Sequence, residues 1–188
     1  MQHDSPTVNA VVNWWKLLHA DHGDRGARAR LKRCESVFDA LLEPETHKLI
    51  ASVHENGYGS EKNLAVLALA LARVRPVEKI ARFPNFSTVL GHTQEDKIPT
   101  GDARPRLSSM RFSALLRASA DKDNKDRFAL ALRRALAILG DKPFNVRRFV
   151  RDVLFFNDQT RQQWTFEYYH TRRADTADNT QLQEETQL

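Results

Sequence analysis

Cysteine is almost missing from this chain. Cys34 stands alone in 188 residues, so no disulfide can close within it, which agrees with a reducing compartment. Glycine and proline are scarce too, seven of each, too few for the many turns of an all-β fold. Long apolar runs are also absent. The longest is LAVLALALA, residues 64–72, which spans roughly 13 Å as a helix against a bilayer core of ~30 Å. The opening MQHDSPTVNAVVNWW has neither the basic start nor the apolar centre of a secretory signal. Together these absences lead to the expectation of a soluble, cytoplasmic protein with no membrane contact.

What is present is helical period. Hydrophobic residues make up 41% of the chain, with ten Phe, three Trp and three Tyr, enough for a substantial core. Ser5 and Pro6 open a first helix whose Val8, Val11, Val12, Trp15 and Leu18 share one stripe, and Gly23 stops it. Asp24 is the expected cap of a second helix, in which Ala27, Leu31 and Cys34 form a narrow buried face. VFDALL and PETHKLIASVHEN are helical pieces broken at Glu43–Pro44, and Ser60 precedes the most apolar helix, EKNLAVLALALARV. FSTVLG forms a short helical turn. Ser108 or Ser109, Asn124, Asn145 and Asp158 are the expected caps of four more helices. No stretch alternates with period two for long enough to form a strand. The expected fold is all-α, with about eight to nine helices in two packed lobes, residues 1–91 and 107–173. Residues 92–106 read as a connecting loop and 174–188 as a disordered acidic tail.

Charge is unevenly spread. The final ADTADNTQLQEETQL holds four acids and no base, so the body without it carries 29 basic against 20 acidic side chains. RGARARLKR, residues 25–33, has five cations (Arg25, Arg28, Arg30, Lys32 and Arg33) and no acid. Arg147, Arg148 and Arg151 fall on one arc of the helix after Asn145, Arg133 and Arg134 lie on the preceding helix, and Arg104, Arg106, Arg111 and Arg117 surround the start of the second lobe. Arginine's planar fork suits phosphate oxygens. Charge alone fits three readings: nucleic-acid binding, a solvated face, or an acidic protein partner. Trp14, Trp15, Trp164, Tyr168 and Tyr169 could stack bases, although helical spacing places Trp15 and Trp164 in the core.

Catalytic signals are thin. No G-x-S-x-G or phosphate-loop pattern occurs, and Cys34 lies on a buried face with no flanking motif. His19, Asp21 and His22 could contribute to a metal site, but the sequence marks no further ligand. His3–Asp4 resembles a phosphohydrolase pair on an N-terminal end. No enzyme activity, metal or cofactor is expected.

In order along the body come WWKLL, GDRGARARLKR, FSTVLG, RFSALLRA, ALALRRALAIL, FNVRRFVRDVLFF and RQQWTFEYY. In this order and spacing the chain resembles the CasB small-subunit family of the type I-E CRISPR surveillance complex, Cascade. The resemblance implies an all-helical, non-catalytic subunit present as two copies head to tail. It would contact the backbone and large subunits and crRNA, and hold target DNA and the displaced strand in antiviral defence. It carries a basic-surface role onto Lys32, Arg33, Arg111, Arg133, Arg134 and Arg161, and onto Arg25, Arg28 and Arg30. Arg117, Arg147 and Arg148 join them on charge. Two features depart from the family pattern: HTQEDKIPTGDARP is an insertion, and Phe155–Phe156 stands where tryptophan is frequent. Two rival readings are a stand-alone regulator that inserts VRRFVRDVL into a DNA groove and a metal-dependent hydrolase using His19 and His22.

Overall fold

The computed structural model describes residues 5–20, 23–57, 60–77, 82–92, 105–121 and 124–169. Expectations for His3–Asp4, Asp21, His22, Arg104, most of the 92–106 loop and the acidic tail fall outside these residues. The described residues hold ten helices and no strand: α1 Pro6–His19, α2 Arg25–Arg33, α3 Val37–Leu42, α4 Pro44–His54, α5 Glu61–Leu71, α6 Phe86–Gly91, α7 Ser109–Ala120, α8 Lys125–Leu139, α9 Val146–Leu154 and α10 Asp158–Tyr168. The fold is all-α. The count reaches ten because VFDALL and PETHKLIASVH, broken at Glu43–Pro44 as expected, and FSTVLG each stand as a separate helix. None of these helices is long and apolar enough to cross a membrane.

α5 is the organising rod. Every residue from Leu64 to Leu71 is buried, because the helix is apolar on all sides and has neighbours on all sides. α3, α4, α8 and α9 pack on it, α1 lies against α4 and α9, and α7 against α8. The buried apolar side chains form one core from Val8 to Tyr168. Polar bonds stitch distant segments across it: Asn63 donates to the Leu154 carbonyl (3.2 Å), and the Val37 amide to Asp126 (2.6 Å).

Most caps follow the sequence. Asp24, Asn124 and Asn145 accept from the amides of Ala27, Arg127 and Arg148, while Ser5, Ser60 and Ser108 occupy cap positions without a side-chain bond. Asp158 is not the cap of α10. Asn157 is, accepting from the Thr160 amide at 2.9 Å, and Asp158 is the first helical residue. α6 meets α10 so closely that a Cβ on Gly91 would lie 2.0 Å from the Tyr168 carbonyl oxygen, so only glycine fits there. Phe86 of α6 sits among Phe144, Phe149 and Trp164 with ring centroids 4.9–5.4 Å away. Such tilted pairs add about 0.5–1.5 kcal/mol each beyond burial.

Candidate nucleic-acid interface

α2 is built of strong helix formers apart from Gly26, but nine residues are too few to hold a helix alone. The Asp24 cap and the burial of Ala27 and Leu31 hold it, which turns the remaining side chains outward. Arg25, Lys32 and Arg33 are exposed and form no ion pair with the described residues. Arg30 differs. Its Nε donates to Glu43 at 2.9 Å, and Asp24 lies 3.7 Å from its Nη2, so its charge is met within the protein.

The C-terminal end of α2 gathers Arg133, expected from the sequence, and Arg73 and Arg75, which the sequence had not singled out. Arg73 donates to the carbonyl of Leu69 (2.6 Å) and to that of Lys32. Arg133 reaches the Cys34 carbonyl at 3.1 Å. Both guanidiniums thus satisfy carbonyls at or just past a helix end, where cations are also favoured by the dipole. Arg75 is exposed beside them. The available clue was Arg73 and Arg75 in ARVRP: cations directly after a fully apolar helix must gather at its C-terminal end.

His19 closes this cluster. Arginine can only donate, so the ring Nδ1 accepts from Arg28 Nη1 (3.3 Å) and Nε2–H donates to the Leu71 carbonyl (3.0 Å). Burial lowers the His19 pKa, and Arg28, Lys32 and Arg75 push in the same direction against the raising effect of the Leu71 bond. Lys32 is also lowered, first by partial desolvation and then by Arg28, Arg73 and Arg75. Arg73 is lowered by burial and by Arg133. Among the described residues no carboxylate figures in any of these three shifts; like charges face like charges.

The two arginines of the RRAL step part company. Arg133 turns to α2, whereas Arg134 is exposed over a groove of about 440 Å³ between α7 and α8, lined also by Leu107, Arg111, Ala114, Ala131, Ala137 and Ile138. Arg111, Arg117 and Arg134 are exposed and unpaired with the described residues.

α9 and α10 engage their arginines with the protein itself, Arg147 and Arg148 half-buried and Arg161 in a surface pair. Arg147 donates to Asn9, Arg148 to Asp152 (2.9 Å), and Arg161 to Asp158. Asp152 is buried on the side that also carries Arg148, and accepts from Trp164 Nε1 at 2.8 Å. Burial raises its pKa, opposed by the Trp164 bond, Arg148 and Arg151. The expected solvent arc of Arg147, Arg148 and Arg151 is therefore a set of half-buried groups engaged with the protein itself.

Trp14, Trp15, Trp164 and Tyr168 are buried and donate to Glu45, Val74, Asp152 and Leu107, so they present no free ring for a base. Tyr169 is the exposed member of that set, 52% accessible. The Cys34 thiol is buried, donates to the Arg30 carbonyl, and has its pKa raised by burial. His19 has both ring nitrogens occupied, and no metal-holding group of three His, Cys, Asp or Glu occurs among the described residues.

A family model described as CRISPR-associated protein Cse2 matches residues 27–169, from the buried face of α2 to the end of α10. No curated protein matches the chain, and no solved structure does.

Proposed function

The chain belongs to the CRISPR-associated Cse2 family and is thus a subunit of the CRISPR Cascade complex; from that premise we propose that it holds nucleic acid there without reading its sequence and without catalysis. The observation that carries this reading is the cation cluster at the end of α2. Arg28, Lys32, Arg73 and Arg75 depress Lys32, His19 or both, with no acid of the described residues contributing to either shift. Mutual repulsion of this kind costs the free protein stability, and a polyanion laid across it relieves that cost. Arg25 and Arg33 extend the same face, and Arg111, Arg117 and Arg134 offer a second one. Arg30, Arg148 and Arg161 act in this reading as struts paired with carboxylates, and Arg133 and Arg147 as struts bonded to the Cys34 carbonyl and to Asn9.

A surface of this kind suits a complex in which guide–target pairing supplies the specificity. Stiff helices pre-position the donors, so little ordering entropy is lost on binding. The partners in this reading are crRNA, target DNA with its displaced strand, the backbone and large subunits, and a second copy of the chain. Clamping separated strands slows their re-annealing and favours the guide–target hybrid in antiviral defence.

Single-strand binding measured from 50 to 300 mM salt tests this. With about five phosphates neutralised, log affinity should fall against log salt with a slope near −3.5. A flat dependence rejects the electrostatic mechanism. The regulator reading instead requires the α9 arginines to leave Asn9 and Asp152; strong preference for one duplex sequence over a scrambled one would favour it.

A further inference from the structure

We propose that residues 174–188 dock into the groove between α7 and α8 and occupy Arg111 and Arg134 until nucleic acid displaces them. The groove is an unusual surface. Ala114, Ala131 and Ala137 give it a shallow apolar floor, and Arg111 and Arg134 stand over that floor unpaired with the described residues. Leu107 lies at its border. An occupant must therefore combine carboxylates for the two guanidiniums with a small apolar contact for the alanines.

The chain supplies such a segment close by. Tyr168 stacks on Phe112 of α7, with ring centroids 3.9 Å apart, and its hydroxyl donates to the Leu107 carbonyl at 2.5 Å. The chain thus leaves the described residues, after Tyr169, within a tyrosine side chain's length of Leu107 at the groove's border. Asp175 follows six residues later and Glu185 sixteen, reaches of up to ~20 Å and ~55 Å when extended. ADTADNTQLQEETQL carries Asp175, Asp178, Glu184 and Glu185 without a base, and Leu182 lies two residues before Glu184. An apolar side chain between acids matches a floor of alanines between arginines. Tethering raises the local concentration of the segment to about millimolar, so a contact too weak to detect between separate molecules is well populated within one chain. The docked segment stands where phosphates would, and its displacement sets a threshold that only a polyanion of several charges passes. That competition rests on the function proposed above; the docking itself does not.

The test uses the full chain. A nitroxide is attached through Gln187→Cys, buried Cys34 being shielded from the label, and amide signals are recorded. Broadening is expected at Ala114, Ala131 and Ala137 but not at Leu49 or Val53 of α4, which packs on α1, α3 and α5. It should vanish in Asp175→Asn/Asp178→Asn/Glu184→Gln/Glu185→Gln and in Arg111→Ala/Arg134→Ala. In parallel, the tail-neutralised chain should bind a single-stranded oligonucleotide about three- to tenfold more tightly than the unmodified chain, the gain expected when a tethered competitor is removed. Absence of broadening in the groove overturns the docking whatever the oligonucleotide does. Groove broadening with equal oligonucleotide affinity in both chains overturns the competition. If neither chain binds the oligonucleotide, the proposed function fails while the nitroxide experiment still decides the docking.

Discussion

The end of α2 and the α9–α10 corner are both rich in arginine, yet they handle it in opposite ways. At the corner, Arg148 and Arg161 meet Asp152 and Asp158, and Arg147 meets Asn9. At the end of α2, Arg28, Lys32, Arg73 and Arg75 face one another and backbone carbonyls. The corner ties its cations to acceptors; the α2 end holds them with no acid of the described residues opposite. Arginine density therefore does not mark a binding surface. What sets the proposed surface apart is that no acid of the described residues pairs with its cations.

The comparison breaks most sharply at Asp152. Asp152→Ala leaves the Trp164 N–H and the half-buried Arg148 without their acceptor and should cost about 3–5 kcal/mol of stability, the loss typical of breaking a buried pair. Denaturant unfolding measures it; a loss under about 1 kcal/mol, the range of exposed pairs, would mean that the corner is not cross-linked as described.

Next comes the α2 face. Lys32→Ala with Arg33→Ala should reduce the single-strand salt slope by about 1.4, two phosphate contacts' worth. Unfolding stability should stay within about 0.5 kcal/mol, since both side chains are exposed. The corner variant Arg161→Ala should leave the slope unchanged. Equal slopes for the two variants would erase the distinction between the regions.

The smallest effect is a matter of pH. His19 has a folded pKa below its unfolded value, so the unfolded chain takes up a proton first as pH falls. Its contribution to stability is full above an unfolded pKa of about 6.5 and is lost as pH falls from there through the folded value. His19→Gln, which can keep an N–H for the Leu71 carbonyl, should flatten unfolding stability against pH in that window. An unchanged slope would show that His19 is not held neutral.

The helices were legible where period and cap agreed. Val8, Val11, Val12, Trp15 and Leu18 are all buried as their spacing requires, and Asn124 and Asn145 cap the helices they precede. Asn157–Asp158 misled because two good capping residues stand side by side, and only the backbone angles decide between them. The α2 cations were legible as a group, but their roles were not. Glu43 lies 13 residues from Arg30, Cys34 lies 99 from Arg133, and Asn9 lies 138 from Arg147. Pairings over such distances depend on tertiary packing, which no local pattern encodes. Arg73 and Arg75 escaped notice for the same reason: they become part of the face only once α5 delivers them to the end of α2.

α5 also determines when that face can exist. α2 is shorter than the ~12–15 residues at which isolated helices become even marginal in water; its inner residues Ala27 and Leu31 are fully buried, and Arg73, just past the last turn of α5, caps its far end. α1 and α5 together support α2, and without them it loses its shape. The charged platform and the greasy centre should therefore melt as one cooperative unit, leaving no half-unfolded form that keeps the cation face.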